Sequence, residues 1–416
     1  MTSPFADVAR ALWSGPWRLQ LMCRRASLAR GELIVSPRAE ELVRDVLDRF
    51  PERPDEAQLV AYLDRRGERA PGERRRVPTR VATAELGFEL ADVNAVAALL
   101  DVDRGELEWL ADERGWSRRA PEPLLHYRWQ TIPKAGGVRV VAAPKPRLKE
   151  AQRRLLRHVV SAIPLHDAAH GAVPKRSVRT ALLPHAGSRV VLRMDLAAFY
   201  PSITAPRITG LLETVGVEPA VARVLSGLAT TIAPLRFWQR LPLPADRVAH
   251  RRLGELLRTP HLPTGAPTSA ALANAVSYRL DRRLAALADR SGARYTRYVD
   301  DLIFSGGPRL ARQRWFAGAV EAIVLDEGFT VARHKTAVRP AHTRQALLGA
   351  VVNERPALPR VERDRLRAIV HNCVVHGAAS QGVDRARLLG RVSAAQALDP
   401  AWGAKLRDDF NRIAWD

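Results

Sequence analysis

Apolar and polar residues follow two different periods along the chain, and the first of them predicts helices. A period close to 3.6 begins after Asp92 and resumes after DRGE, residues 103–106, which resembles a capping box. Its first apolar face consists of Val93, Val96, Ala97 and Leu100. We therefore expect two short helices, either a DNA-reading helix-turn-helix or, as the commoner case, a helical pair that packs on the next domain.

From about Tyr127 the pattern changes to runs typical of strands. The stretch YRWQTIPKAGGVRVVAAP predicts a hairpin with its turn at Gly136 and Gly137, followed by a basic helix. Further on, SRVVLRMD predicts a β-branched strand that ends in Asp195. RYTRYVDDLIFSG predicts a second hairpin with Asp300 and Asp301 at its tip.

Longer apolar periods predict helices around this second hairpin. TSAALANAVSYRLDRRLAAL indicates one long helix capped by Thr268 or Ser269. Its apolar face consists of Leu272, Val276, Leu280, Leu284 and Leu287. The chain from Val361 onward is expected to be helical and rich in arginine.

Composition adds an expectation about partners. The 416 residues include 66 Lys and Arg against 44 Asp and Glu, a formal net charge of +22. A polyanionic partner is therefore the first expectation. The two cysteines and the opening MTSPFADVARALWSGPWRLQ, without the pattern of a signal peptide or a membrane span, predict a cytoplasmic protein with no membrane partner.

The acidic pair at the tip of an otherwise apolar hairpin needs a physical reason. A strand that delivers Asp195 and a hairpin that delivers Asp300 and Asp301 would place three carboxylates at one edge of a sheet. Like charges are tolerated at close range when divalent cations with a preference for oxygen ligands neutralise them. Two Mg²⁺ ions about 4 Å apart would activate an attacking hydroxyl and stabilise a leaving pyrophosphate.

Four segments occur in one order: MDLAAFYPSI, LPTGAPTSAALAN, YVDDLIFSG and GFTVARHKT. In this combination the chain resembles the reverse transcriptases, and among them the bacterial retron reverse transcriptases. The resemblance implies an α+β fold, a right-hand polymerase with fingers and palm, an α-helical thumb and a helical N-terminal extension. It also implies that Asp195, Asp300 and Asp301 are the catalytic, metal-binding aspartates.

The resemblance extends to the nucleotide site. Tyr200, with Phe199 beside it, falls where the family excludes a 2′-hydroxyl, and Lys134 and Arg139 match fingers residues that grip the triphosphate. Lys335 matches a palm lysine near the triphosphate, although Ala332 stands where the family often has Asn. The loop that supports nucleotide and template is matched by Gly265, Ala266 and Pro267, preceded by Thr264 where Gln is frequent.

Two further segments match retron enzymes in part. HGAVPKRSVRTALLPH, residues 170–185, has the terminal histidine but carries Ala181 and Leu182 where Asn and Ala are usual. LLGAVVN, residues 347–353, keeps Gly349 and Asn353 but lacks the usual threonine. These departures weaken the likeness to retrons and leave the polymerase chemistry unaffected.

The resulting prediction has three parts: an N-terminal extension over 1–120 with a basic linker near 62–82, fingers and palm over 121–347, and a basic thumb over 348–416. The implied activity is RNA-directed DNA synthesis on a structured non-coding RNA, which gives branched msDNA in antiphage defence. The implied partners are this RNA as template and primer, the RNA–DNA hybrid, dNTPs, a separate effector protein and, for the RNA, the Arg-rich helices of 361–416. The alternatives are a bacterial reverse transcriptase of intron-derived or abortive-infection type, or a regulator with an inactive palm.

Overall fold

The computed structural model describes residues 6–14, 21–23, 26, 37–66, 90–134, 137–239, 241, 247–307, 310 and 314–415. The chain divides into two compact units, Met1–Thr79 and Arg80–Asp416. The first unit contains the helices Ala6–Trp13, Pro37–Arg49 and Glu56–Arg66, whose shared core includes the buried side chains of Leu12, Leu42 and Leu63. Residues 62–66 of the predicted linker end the third helix, and the rest of it up to 82 lies outside the described residues.

The helical pair predicted after Asp92 is present as Val93–Leu100 and Arg104–Ala111. The side chains of Asp92 and Asp103 cap the two helices by accepting hydrogen bonds from the backbone N–H groups of Ala95 and Glu106, both at 2.8 Å. The apolar faces of both helices are buried in the main core of the second unit. The helical pair therefore belongs to the second compact unit, Arg80–Asp416.

Gly227 permits the close approach of this pair to the helix Pro219–Ala229. A Cβ added at Gly227 would lie 2.3 Å from the carbonyl oxygen of Ala111. We expect Gly227→Ala to lower the free energy of unfolding by about 1 to 3 kcal/mol through overpacking, as measured by urea unfolding. The control is Gly210→Ala, also on a helix, where a Cβ meets nothing within 4 Å. That variant should be stabilised by about 0.5 to 1 kcal/mol, and equal effects of the two would contradict the packing described.

The first predicted hairpin forms a two-stranded antiparallel sheet of β1 (Tyr127–Lys134) and β2 (Gly137–Pro144). Its register pairs Tyr127 with Pro144 and Lys134 with Gly137, and residues 135–136 of its turn are outside the described residues. The basic helix Pro146–His158 follows, as predicted, with proline at its first turn, where a missing N–H costs nothing.

The second unit is organised around a sheet of four strands: β3 (Val190–Asp195), β4 (Arg294–Tyr298), β5 (Asp301–Gly306) and β6 (Ala337–Pro340). Their order in the sheet is β4, β5, β3, β6, with every pair antiparallel. Both the strand ending at Asp195 and the hairpin are therefore confirmed. Further helices of this unit are Val178–Leu182, Ala205–Thr214, Pro219–Ala229, Leu235–Gln239, Arg247–Leu257 and Arg314–Asp326.

The predicted long helix is divided into Ser269–Val276 and Tyr278–Arg290, which meet at Ser277. The side chain of Thr268 makes no capping hydrogen bond, and the hydroxyl of Ser269 instead donates to the carbonyl of Pro263 at 2.7 Å. Four of the five predicted core residues are buried, whereas Val276 is half-buried. The single helix was therefore wrong, while its apolar face was identified correctly.

The C-terminal part is helical, as predicted. A short hairpin of β7 (Ala346–Leu347) and β8 (Ala350–Val351) precedes the helices Arg360–His376, Arg385–Leu398 and Pro400–Asn411. These helices share a core that includes Leu366, Cys373 and Phe410. Across the described ranges, none of the helices combines the length and apolar character needed to cross a membrane.

Candidate active site

The first two candidate catalytic residues face each other across neighbouring strands. Asp195 ends β3, Asp301 begins β5, and the two are directly paired in the antiparallel register. Directly opposed residues project from the same face of a sheet, and so does Arg193, two residues before Asp195. The edge of the sheet therefore brings two carboxylates and one guanidinium together.

The third aspartate, Asp300, lies in the turn between β4 and β5. Its backbone carbonyl accepts a hydrogen bond from the N–H of Leu196 at 2.8 Å, which joins the turn to the end of β3. The preceding residue, Val299, has a φ of 58°, a left-handed conformation that β-branched residues rarely adopt. Strain of this kind costs about 1 to 3 kcal/mol and persists only where surrounding contacts hold the backbone in place.

Protein cations already contact the two opposed carboxylates. Lys335 donates from Nζ to both oxygens of Asp195, at 2.8 and 2.9 Å. Arg193 donates to Asp301 from Nε at 2.7 Å and from Nη2 at 3.1 Å. In the part of the chain that the structure describes, no lysine or arginine side chain hydrogen-bonds Asp300. Asp300 is thus the aspartate whose charge is least neutralised by direct contact.

The electrostatics of these carboxyl groups suit a hard divalent cation. Burial, and secondly the charge of Asp195, raise the pKa of the Asp300 carboxyl. Burial also raises the pKa of Asp301, against the opposing effect of Arg193. Oxygen donors with excess negative charge are the ligands that Mg²⁺ prefers. The three aspartates therefore fit the predicted metal ions by the chemistry of their donor atoms.

The three carboxylates, expected at one edge of the sheet, are not gathered around a single point in this structure. Among the described residues, no three His, Cys, Asp or Glu side chains converge into a group that could hold a metal ion. The reason is that Asp195 and Asp301 are each turned toward a cation, Lys335 and Arg193. Metal binding would require these carboxylates to exchange an ion pair for the metal.

The aromatic pair lies beside the turn. Phe199 is buried, with 4% of its surface exposed, and packs at centroid distances of 5.6 Å against both Tyr200 and Phe329. Its ring therefore packs between the other two rings, and a contact of Phe199 with the nucleotide stays a prediction. Burial raises the pKa of the half-buried Tyr200, as does the nearby charge of Asp300. Tyr200 therefore borders the carboxylates with a protonated hydroxyl.

The hairpin β1–β2 is joined by a backbone hydrogen bond to the loop that contains Gly265. The N–H of Ala142 in β2 donates to the carbonyl of Thr264 at 2.9 Å. Gly265 has a φ of +117°, and an added Cβ would lie 3.2 Å from Val141, so a side chain there would be strained and crowded. Arg139 is exposed, and its positive charge opposes the rise in the pKa of Tyr200 that burial and Asp300 cause.

The other predicted nucleotide-binding residues are placed less fully. The side chain of Lys134 lies outside the described residues. Ala266 and Pro267 are half-buried in the loop that follows Gly265. Lys335 is exposed, and its Nζ is hydrogen-bonded to Asp195. The loop that contains Ala332 is joined to the end of β3, because the backbone N–H of Ala332 donates to the backbone carbonyl of Asp195 at 2.7 Å.

The two retron-like segments have structural roles around the sheet. His185 is fully buried, and its ring nitrogens hydrogen-bond the hydroxyls of Ser305 at 2.7 Å and Thr296 at 2.8 Å. Gly349 forms the β7–β8 turn with a φ of 80°. The side-chain amide of Asn353 donates to the carbonyls of Ala341 and Thr343 at 2.9 and 2.8 Å. These matched residues thus tie loops to the palm sheet.

Acid is expected to destabilise the second unit through buried histidines. Burial lowers the pKa of His185 to about 3, helped by the charges of Arg294 and His170, and lowers those of His170 and His261 to about 4 each. Unfolded histidine takes up a proton near pH 6.5, so the unfolded state binds more protons below that pH. The free energy of unfolding should therefore fall from about pH 6.5 downward, by up to about 1.4 kcal/mol per pH unit for each histidine.

Urea unfolding of the wild type and of His185→Gln over this pH range measures the effect. Glutamine retains a donor and an acceptor but does not titrate. The variant should lose about one histidine's share of the pH slope. An unchanged slope would show that His185 is not held neutral by the fold.

Several residues that build this site were not identified from the sequence. Arg193 was missed, although its position two residues before Asp195 places both on one strand face. Arg297, Asp281 and Asn274 were missed as well, and these three form a buried hydrogen-bonded group behind the turn. An arginine inside the strand RYTRY was the one available signal, because a charge in a buried strand needs a partner.

Comparison with known proteins agrees with the geometry. The family model described as reverse transcriptase (RNA-dependent DNA polymerase) matches residues 132–352. The retron Mx65 reverse transcriptase of Myxococcus xanthus is 43% identical over 319 residues, which cover 75% of this chain and 69% of that protein. The retron Mx162 reverse transcriptase of the same organism is 38% identical over 336 residues, covering 76% of this chain and 65% of that protein.

A solved structure of telomerase from Candida albicans, in complex with a TWJ fragment of telomeric RNA, covers 69% of this chain and 56% of its own at a TM-score of 0.36 and 10% identity. That similarity is too low to bear on function. The family match extends from β1 to the residue after β8 and includes all three aspartates, and the retron identity covers most of the chain. The chain therefore belongs to the reverse transcriptases of retron type, which are RNA-directed DNA polymerases.

Proposed function

We propose that the chain uses Asp195, Asp300 and Asp301 with two Mg²⁺ ions to copy a structured non-coding RNA into branched msDNA. The observation that carries this proposal is the juxtaposition of Asp195 with Asp301 across β3 and β5, with Asp300 in the adjoining turn. The branched msDNA product is what the resemblance to retron enzymes implies. A bound metal pair would activate the primer hydroxyl and neutralise the leaving pyrophosphate.

The protein's own residues would orient the reactants. Arg139 on the exposed face of β2 and Lys134 at the end of β1 are the proposed contacts to the triphosphate of a dNTP. Tyr200 would pack against the sugar and exclude a 2′-hydroxyl. Lys335 would pass from Asp195 to a phosphate oxygen when the aspartate takes a metal, because an ammonium group is a mobile cationic donor for phosphate.

The C-terminal helices are proposed as the thumb, covering 348–416, and as the main contact to the partner RNA. Exposed arginines lie on two of these helices, among them Arg365 and Arg367 on the first and Arg385 and Arg387 on the second. Guanidinium groups bind phosphates by paired hydrogen bonds and stack on splayed bases, which suits folded RNA. The net charge of +22 over the whole chain favours a polyanionic partner.

We extend the proposal to antiphage defence with a separate effector protein, by the resemblance to retron systems. The competing functions are reverse transcription without a branched product and DNA-binding regulation by an inactive palm. The presence of all three aspartates favours an active enzyme over the regulator.

The decisive experiment is sequencing of the nucleic acid that copurifies with the chain when it is expressed with its flanking gene region. We expect one structured RNA joined to complementary DNA, and a debranching enzyme that cleaves a 2′–5′ linkage should separate the two. Complementary DNA without such a branch would favour the non-retron alternative. Recovery of double-stranded DNA without any reverse-transcribed product would overturn the proposal.

A further inference from the structure

Arg297 and Asp281 form an ion pair with no solvent exposure beside the catalytic turn. Arg297 donates from Nε and Nη2 to the two carboxylate oxygens of Asp281 at 2.8 and 2.7 Å, and both side chains are 0% exposed. Tyr295 adds a third hydrogen bond to Asp281, at 2.8 Å. Burying such a pair is costly, and an apolar pair of similar volume often stabilises a fold as well. Stability alone is therefore a weak reason for this arrangement.

The remaining donor of Arg297 is directed at the turn. Its Nη1 donates to the carbonyl oxygen of Val299 and to the side-chain oxygen of Asn274, both at 2.9 Å. Val299 is the left-handed residue that immediately precedes Asp300. A guanidinium fixed at its other nitrogens by Asp281 thus holds the carbonyl of a strained peptide next to the metal-binding carboxylate.

A second contact holds the same turn from the opposite side. Asn274 donates from Nδ2 to the carbonyl of Gly171 at 2.8 Å. A Cβ added at Gly171 would lie 2.6 Å from Cγ2 and 2.8 Å from the backbone nitrogen of Val299. The φ of Gly171 is not in the positive range, so contact with Val299 is what excludes a side chain. The retron-like segment that begins at His170 thus packs directly against Val299 in the turn.

The guanidinium of Arg297 also lies near the ring of Phe199. The Cζ atom of Arg297 is 5.9 Å from the centroid of the Phe199 ring, which itself supports Tyr200. One buried side chain therefore links the turn that carries Asp300 to the ring beneath the proposed sugar contact. A cation at this distance from an aromatic face is attracted to it.

We propose that Arg297, anchored by Asp281 and Asn274, is a positioning residue that sets the orientation of Asp300 for metal binding. The inference rests on the proposed function, since it assigns Asp300 to the metal. Arg297 touches neither nucleotide nor metal in this scheme. It acts by holding the peptide of Val299 in the conformation that directs the next carboxylate toward Asp195.

The test uses three variants that disturb the turn in different ways. Arg297→Lys removes the guanidinium that joins Asp281 to Val299. Asn274→Ala leaves the ion pair of Arg297 and Asp281 in place but removes the hydrogen bond from Asn274 to Gly171. Gly171→Ala places a methyl group directly against Val299. The matched control is Arg283→Lys. Arg283 lies on the same helix as Asp281 but pairs at a partly exposed surface with Asp326 and Glu327.

We expect Gly171→Ala and Arg297→Lys to lower kcat for primer extension on the order of 100-fold, with KM for dNTP changed only a few-fold, because misplacement of a catalytic group by about 1 Å has such an effect. Asn274→Ala should lower kcat about tenfold through the loss of two buried hydrogen bonds, one with Arg297 and one with Gly171. Arg283→Lys should match the wild type.

A second readout needs no catalysis. Binding of Mn²⁺ to the chain, followed by electron paramagnetic resonance without nucleotide, should weaken in Gly171→Ala and Asn274→Ala and stay unchanged in Arg283→Lys. If Arg297→Lys does not fold, Asn274→Ala decides the matter, because its ion pair remains intact. Folded Gly171→Ala and Asn274→Ala proteins with wild-type kcat and Mn²⁺ affinity would overturn the positioning role. A wild type that binds Mn²⁺ but never extends a primer would instead contradict the proposed function.

Discussion

Asp300→Asn is expected to abolish DNA synthesis, with a loss on the order of 10³-fold or more in the rate of primer extension. The amide has nearly the volume of the carboxylate but lacks the charge that a divalent ion needs. Asp300 is also the aspartate without a direct lysine or arginine hydrogen bond among the described residues, so its charge is the most available to metal. Single-turnover extension of a primer on an RNA template with Mg²⁺ measures the effect.

The control for this substitution is Asp289→Asn. Asp289 is exposed near the end of the helix Tyr278–Arg290 and takes no part in the site. Both variants should unfold in urea within about 1 kcal/mol of the wild type, because each change conserves volume. A folded Asp300→Asn protein that extends primers at the wild-type rate would show that this turn is not the catalytic site.

Tyr200→Ala is expected to admit ribonucleotides. The ring of Tyr200 is half-buried on Phe199 at a centroid distance of 5.6 Å, which fixes its position beside Asp300. Removal of the ring would remove the clash with a 2′-hydroxyl and would slow the use of deoxynucleotides by loss of packing. We expect the ratio of kcat/KM for dNTP to that for rNTP to fall by about tenfold or more.

Tyr200→Phe separates the ring from its hydroxyl. This control keeps the packing surface, so sugar discrimination should remain close to that of the wild type. If Tyr200→Ala leaves the ratio unchanged, the aromatic side chain does not face the sugar. If Tyr200→Phe loses discrimination as well, the phenolic hydroxyl rather than the ring makes the selection.

The elements around the site could be predicted because their signals are local. The β-branched run before Asp195 predicts a strand by its composition alone. Asp92 and Asp103 predict helix starts, because each lies three residues before the N–H group that it caps. The hairpin that carries Asp300 follows from the short runs RYTRY and LIFSG on either side of the acidic pair. Each of these patterns is decided by neighbours in sequence.

The contacts that tune the site could not be predicted because they join distant residues. Lys335 and Asp195 are 140 positions apart, and Arg193 and Asp301 are 108 apart. No periodicity reports which carboxylate a given cation will reach. The break at Ser277 has the same character, since an apolar face that continues across it reads as one helix. The packing of residues 93–111 in the main core of the second unit is likewise seen only in the tertiary structure.

His185 illustrates how a matched residue can have an unexpected role. The likeness to retron enzymes singled it out as the terminal histidine of the segment 170–185, without assigning it a role. The structure instead buries its ring between the hydroxyls of Ser305 and Thr296 on the two strands that flank the turn. The segment 170–185 therefore contacts the palm at two points, through His185 on the two strands and through Gly171 at the turn.

The most direct measurement is DNA synthesis by the purified wild-type chain on a defined RNA template, with dNTPs and Mg²⁺, followed by sequencing of the product. The expected result is DNA complementary to the template, which depends on Mg²⁺ and is absent with Asp300→Asn. Product whose sequence is unrelated to the template, or no product from folded wild-type chain supplied with its own copurified RNA, would contradict RNA-directed polymerisation at these three aspartates.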